Sequence, residues 1–110
     1  MNILFVCSRN QWRSPTAETL YKNHQNHQVR SAGTSSSARI KVTAKLIQWA
    51  DLIFVMEKRH KQRLLERFSV EIEDRQIIVL DIPDHYLFMD PELIDILQQS
   101  VSPYLKGAGE

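Results

Sequence analysis

The run Ile3-Leu4-Phe5-Val6-Cys7-Ser8-Arg9-Asn10-Gln11-Trp12-Arg13-Ser14-Pro15 joins a strand, a loop and a helix start. Its first four residues are continuously apolar, the pattern of a strand buried on both faces. Ser14-Pro15 has the form of a helix start, with Ser as N-cap and Pro at the first helical position. A thiol therefore stands at the end of a buried strand, and a tight loop leads from it to a helix N-terminus. Such a loop can turn several backbone N–H groups inward as an anion nest, and the helix dipole favours the same anion. Arg13 can fold back as a planar fork and hold two oxygens of that anion. A thiolate, an anion cradle of residues Ser8, Arg9, Asn10, Gln11, Trp12 and Arg13, and an arginine fork are parts for nucleophilic attack on phosphorus.

Outward from this run, strands and helices alternate. Strands are expected at Asn2–Val6, Gln28–Ser31, Leu52–Met56 and Gln76–Leu80. Helices are expected from Ser14 to about His24, from Ile40 to Trp49, and from Glu57 to Phe68, the last burying Leu64, Leu65 and Phe68. A final helix opens at Asp90-Pro91 and carries Leu93, Leu97 and Val101 at intervals of four. Alternation of this kind predicts an α/β fold, a parallel sheet covered on both faces and wound with right-handed crossovers. In such sheets the ligand sits at the carboxyl ends of the strands, beside a switch point, which is where Cys7 leaves its strand.

The motif resembles the active-site loop of the low-molecular-weight protein tyrosine phosphatases: Cys7, five residues, Arg13, Ser14. Ser31-Ala32-Gly33-Thr34, Ala50 to Met56, and Ile82-Pro83-Asp84-His85-Tyr86 also resemble segments of that family. The likeness runs from Asn2 to about Leu105. It implies a three-layer fold with four parallel strands in the order 2-1-3-4. It also implies Cys7 as nucleophile, Arg13 as phosphate fork and Asp84 as general acid; Asp81, which directly follows the fourth strand, competes for that last role. The chain departs from the pattern in places. It is shorter than the family by a few tens of residues, with the shortage between Thr34 and Ala44. Trp12 stands where relatives often carry a second cysteine, Arg9 where they often carry glycine, and His85 and Leu87 flank the late aspartate region.

Other residues carry smaller expectations. Ser14 can cap its helix and also donate to the Cys7 thiolate. Asn10 supports the loop in a left-handed conformation. Tyr86 and Trp12 are candidate substrate walls, and Trp49 is expected in the core. His24 and His27 lack the further ligands a metal site needs. The stretch Lys58-Arg59-His60-Lys61-Gln62-Arg63 is a basic helix face, able to hold an acidic partner.

With 110 residues, one domain over 1–110 is expected. A chain of this size buries roughly 65% of its unfolded surface, enough for one core. A net charge of +1 argues against a nucleic-acid binder driven by bulk charge. No apolar stretch is long enough to span a bilayer, and no signal pattern begins the chain. One cysteine excludes an internal disulfide, and a free reactive thiol suits the cytoplasm. The expected activity is hydrolysis of phosphomonoesters, foremost phosphotyrosine in proteins, without a cofactor. The partner would be a phosphorylated protein or a small phosphate ester, not a nucleic acid or a membrane. Two alternatives remain open: an arsenate reductase using an external thiol, and a non-catalytic phosphate or phosphopeptide binder whose short 34–44 segment leaves the pocket open.

Overall fold

A computed structural model of the chain describes residues 1–106. The elements are β1 (Asn2–Cys7), α1 (Arg13–Tyr21), β2 (Gln28–Gly33), α2 (Ala44–Trp49), β3 (Leu52–Val55), α3 (Lys58–Arg67), β4 (Gln76–Val79) and α4 (Pro91–Lys106). All strand pairs are parallel and the order is β2-β1-β3-β4. This is the expected doubly wound sheet.

β1 is central, and its uninterrupted apolar run follows from that place. Side chains alternate across a strand, so Ile3, Phe5 and Cys7 face one core while Leu4 and Val6 face another. The first core is closed by α1 and α4, through Ala17, Leu93, Leu97 and Val101. Phe5 stacks between Tyr21 and Phe54, at ring-centroid distances of 6.1 and 5.2 Å. The second core is closed by α2 and α3, through Ile47 and Leu64. The chain first winds from β1 to β2, then crosses back over β1 to β3. The winding reverses at β1, so the carboxyl end of β1 opens into the crevice where such sheets bind ligands. Cys7 sits there, paired in register with Gly33.

Several boundaries differ from the sequence expectation. α1 begins at Arg13, its N-cap is Trp12, and no side chain caps it. Ser14 is not the cap, and Pro15 is the third helical residue, where a missing N–H still costs no intrahelical bond. α1 ends at Tyr21, ahead of the polar connection, and not at His24. β2 runs on to Gly33 because its ladder continues to the level of Cys7. Ile40 to Val42 are not helical. Lys41 bridges to Gly33, and Gly33 exchanges backbone hydrogen bonds with Ile40 and Val42 at 2.8 and 3.0 Å. α2 therefore starts after Thr43, whose hydroxyl accepts from the Leu46 N–H. Trp49 is only partly buried and lies under the Arg30 guanidinium, 4.5 Å from ring centroid to carbon. Leu65 was expected inside but is 44% exposed, while Leu64 is 1% exposed. Adjacent helical residues cannot share a face; the place inside α3 goes to His60 instead.

Among the described residues, no helix is long and apolar enough to cross a membrane. The α3 register gives a direct stability test. Leu64→Ala should lower the free energy of unfolding by about 2–5 kcal/mol, the usual cost of emptying a core leucine site. Leu65→Ala should stay within about 0.5 kcal/mol of wild type. Urea unfolding with unchanged slope reads both, and equal losses would contradict this register.

Candidate active site

The loop between β1 and α1 is shaped from its outer side. The Cys7 carbonyl accepts from the Thr34 N–H at 2.9 Å, and the Ser8 carbonyl from the Ser35 N–H at 2.9 Å. The Arg9 carbonyl accepts from the Arg39 N–H at 3.0 Å, and the Asn10 carbonyl from Arg39 Nε at 3.0 Å. With these carbonyls turned outward and satisfied, the N–H groups are left for the inner side. None of the backbone N–H groups of residues 8–12 has a protein acceptor among the described residues. The uncapped N-terminus of α1 adds its own first-turn N–H groups. Unpaired N–H groups converging on one point form an anion site.

Close approach makes Gly33 necessary. A Cβ at this position would lie 2.4 Å from the Ser8 carbonyl oxygen and 3.0 Å from the Asn10 nitrogen. Asn10 takes the left-handed conformation, φ 57°, and is fully buried. Its Nδ2 donates to Ser14 Oγ at 2.8 Å and to Ser31 Oγ at 2.9 Å, and Ser31 donates onward to Glu18 at 2.6 Å. Ser14 Oγ is 3.0 Å from Cys7 Sγ. Because Asn10 donates to that oxygen, the Ser14 hydroxyl hydrogen is left for the sulfur or for the Ala32 carbonyl at 3.4 Å. A hydroxyl donor to sulfur favours the thiolate.

Arg13 is 2% exposed, and burial of its charge requires a partner. Glu57 supplies it: Arg13 Nη1 donates to Glu57 Oε2 at 2.6 Å and to the Ile82 carbonyl at 2.7 Å. Both bonds use Nη1, so Nε and Nη2 have no acceptor among the described residues. They are the edge of the fork that can hold an oxyanion. Asp84 approaches this edge, with Oδ1 3.6 Å from Arg13 Nε, a charge contact rather than a hydrogen bond. Cys7, Ser8, Arg9, Gln11, Trp12, Arg13 and Asp84 line one small pocket.

The structure thus brings together Cys7, the loop residues and Asp84. Asp81 lies apart, in a left-handed turn lining an outer depression with Glu57, Lys58, Arg59 and Pro83. Trp12, 42% exposed, is at the rim of the pocket. Tyr86 is not a wall of it. It is 6% exposed and packs into the first core with Ile82 and Leu93, because the late loop turns its aromatic ring inward while Asp84 stays out. The 34–44 segment does not line the Cys7 pocket; residues 34, 35 and 39 brace the loop from behind.

Two site residues escaped the sequence reading. Glu57 caps α3 in a capping box, with its side chain on the His60 N–H and the His60 ring on its own N–H. Burial alone would raise the Glu57 carboxyl. Hydrogen bonds from Arg59 and Arg13, and their charges, outweigh it and hold the group below its ordinary range. His60 is buried beneath the loop. Its Nδ1 accepts from the Glu57 N–H at 3.0 Å, so its hydrogen is on Nε2, which donates to Ser8 Oγ at 2.9 Å. Burial first, and then the Arg13 and Arg59 cations, push its pKa down to about 4. Position at the carboxyl end of the neighbouring strand was the available signal for both residues.

Residues 2–49 match the family model described as low molecular weight phosphotyrosine protein phosphatase. A protein-arginine-phosphatase of Bacillus subtilis (strain 168) is 33% identical, the match spanning 63% of this chain and 64% of that protein's length. Among solved structures, a Cys-to-Ser mutant of the YwlE arginine phosphatase with a phosphorylated active-site serine is 26% identical. It superimposes with a TM-score of 0.72 over 96% of each chain. The tyrosine phosphatase Wzb from Escherichia coli K30, in complex with phosphate, shares the fold with a TM-score of 0.79 at 23% identity, over 98% of each chain.

The buried imidazole predicts a pH signature. An unfolded His60 takes up its proton near the ordinary value of about 6.5, whereas the folded one waits until about pH 4. Between these values the unfolded state binds more protons, so stability falls as pH falls, by at most about 3 kcal/mol from this group. His27 is depressed in the same direction, so wild type alone does not isolate His60. His60→Gln should flatten the slope of unfolding free energy between about pH 4 and 6.5 relative to wild type. An unchanged slope in urea titrations would refute the buried neutral imidazole.

Proposed function

We propose that the chain is a member of the low molecular weight phosphotyrosine protein phosphatase family, whose model residues 2–49 match, and that it removes phosphate from phosphorylated protein side chains through a phosphocysteine on Cys7. One observation carries the reading: a buried thiol, an unpaired arginine edge and a half-exposed carboxylate share a pocket walled by unpaired N–H groups.

The phosphate of the substrate occupies the nest of residues 8–13, with two oxygens on Arg13. Cys7 thiolate attacks phosphorus in line, forming the S–P bond as the bond to the leaving oxygen breaks. Asp84 gives its proton to that oxygen. Water then attacks phosphorus, Asp84 takes the proton back, the S–P bond breaks, and inorganic phosphate leaves with the thiolate restored. One carboxyl group serves both half-reactions with opposite proton direction. The nest and Arg13 stabilise the charge on the transferring group without reorganising. Asn10 and Ser14 hold the loop and the sulfur in place. A thiol that must remain reduced to attack phosphorus suits the cytoplasm.

Phosphotyrosine is the preferred substrate class, since Trp12 at the rim offers an exposed aromatic face to a ring. Phosphoarginine is the second reading, supported by the activity named for the Bacillus subtilis relative. The relatives described above are phosphatases, which disfavours arsenate reduction.

Asp84→Asn should slow phosphoenzyme formation from a phosphotyrosyl peptide by about 10²–10⁴-fold, and clearly less from p-nitrophenyl phosphate, whose leaving group needs little protonation. Asp81→Asn should cost much less on both, and Cys7→Ser should abolish turnover. Single-turnover rates are the readout, because Asp84 also assists the later hydrolysis. A leaving-group-dependent defect in Asp81→Asn would move the acid to Asp81. A matched phosphoarginyl peptide, turned over faster than the phosphotyrosyl one, would decide for the second reading.

A further inference from the structure

Beside the Cys7 pocket lies a much larger cleft of about 700 Å³ that the chemistry above does not use. Its lining includes Arg9, Lys41, Arg59, Arg63 and Arg67, and no carboxylate. The whole chain carries a net charge of only +1, so this is a local concentration of cations and not general basicity. Ser8 and Arg9 line both the cleft and the Cys7 pocket, which makes the two continuous along the loop.

The cleft is built on α3. Arg59, Arg63 and Arg67 follow one another at i, i+4 spacing, so they stand on one face of the helix. Like charges at this spacing disfavour an isolated helix, and a bound anion would relieve them. Arg67 is fixed across the cleft by donating to the Thr34 carbonyl at 3.1 Å, and Arg59 is partly answered by Glu57 at 3.0 Å. Arg9, Lys41 and Arg63 have no acidic partner within ion-pair distance among the described residues. The 34–44 segment forms one wall of the cleft, where Thr34, Ser35 and Ser36 add polar groups beside Lys41.

We propose that this cleft is a second anion subsite, which selects phosphoprotein segments carrying another negatively charged side chain close to the phosphorylated one. The inference deepens the phosphatase reading and rests on it for the identity of the neighbouring group. Arg59 to Arg67 spans roughly 12 Å of helix, and an extended peptide covers that distance in about four residues. Because the cleft begins at Ser8 and Arg9, which also line the Cys7 pocket, the second anion is placed within about four positions of the phosphorylated residue. A peptide fits better than a nucleic acid, because the cations line a bounded cleft beside a single-phosphate pocket and not a stripe that tracks a backbone. A second phosphate and a run of carboxylates present the same chemistry, and the test separates them.

Three phosphotyrosyl peptides of equal length serve as probes: one with neutral flanks, one with Glu at neighbouring positions, one with a neighbouring phosphoserine. Wild type and the double variant Lys41→Gln/Arg63→Gln are compared on each, with p-nitrophenyl phosphate as the flankless control. Wild type should favour both anionic peptides, chiefly through KM, and lose that preference as salt is raised. The double variant should lower kcat/KM for them by about tenfold, leaving the neutral peptide and p-nitrophenyl phosphate within about twofold. A gain only for the phosphoserine peptide would assign the subsite to a second phosphate; a gain for both, to acidic sequence. Equal turnover of neutral and anionic peptides by wild type would overturn the proposal. So would equal inhibition by a short oligonucleotide. Binding of the same peptides to Cys7→Ser, followed by fluorescence anisotropy, keeps the two readings apart. If wild type hydrolyses no aryl phosphate yet Cys7→Ser still prefers the anionic peptides, the catalytic reading fails and the subsite stands. Loss of the preference in both experiments removes the subsite alone.

Discussion

Everything at this site depends on a loop whose carbonyls are held away from the centre. A short loop cannot turn all its N–H groups to one side unless the carbonyls find acceptable partners on the other. Here the partners are the N–H groups of Thr34, Ser35 and Arg39 and the Arg39 guanidinium. That bracing brings the end of β2 so close that Gly33 has no room for a side chain. The register of β1 against β2, which sets Cys7 opposite Gly33, is thus the constraint from which the pocket follows.

Charge imposes the second constraint. Arg13 is a cation almost fully removed from solvent, and its charge must be answered inside the protein. Glu57 answers it, and the α3 capping box places Glu57 by the same hydrogen bonds that fix the His60 tautomer. His60 then reaches Ser8, next to Cys7. Helix start, arginine fork and loop are therefore one hydrogen-bonded unit, spanning the ends of β1 and β3. A change in any one member shifts the others, so substitutions at Glu57 or His60 are positional in their effect on the pocket.

Much of the fold was legible because period and length both spoke. The continuous apolar run of β1 and the spacing of Leu93, Leu97 and Val101 each admit one reading, and all three α4 residues are fully buried. Cys7, Arg13 and Asp84 could be gathered from a motif and a resemblance. Ser14-Pro15 was read one way where two registers fit, since proline is tolerated throughout a first turn. The thiol decided between them by claiming the Ser14 hydroxyl. Ile40 to Val42 were read as helix because their pairing with Gly33 is non-local. Tyr86 and Leu65 went wrong for a related reason: neither composition nor spacing says which way a loop ring turns, or which of two adjacent leucines meets the core.

Two carboxylates share Arg13, and their surroundings divide the work between them. Glu57 accepts from two arginines and is tied into a helix cap, so it stays ionised and still. Asp84 is 48% exposed, touches Arg13 only at 3.6 Å, and hangs from a loop anchored by buried Ile82 and Tyr86. The proposed acid and base role of Asp84 calls for solvent access, which its exposure provides; the neutralisation of a buried cation by Glu57 does not. Burial of Tyr86 serves the second carboxylate as much as the core. The ring fixes the loop on one side of Asp84 and Ile82 fixes it on the other, so the aspartate side chain stands exposed beside the free edge of Arg13.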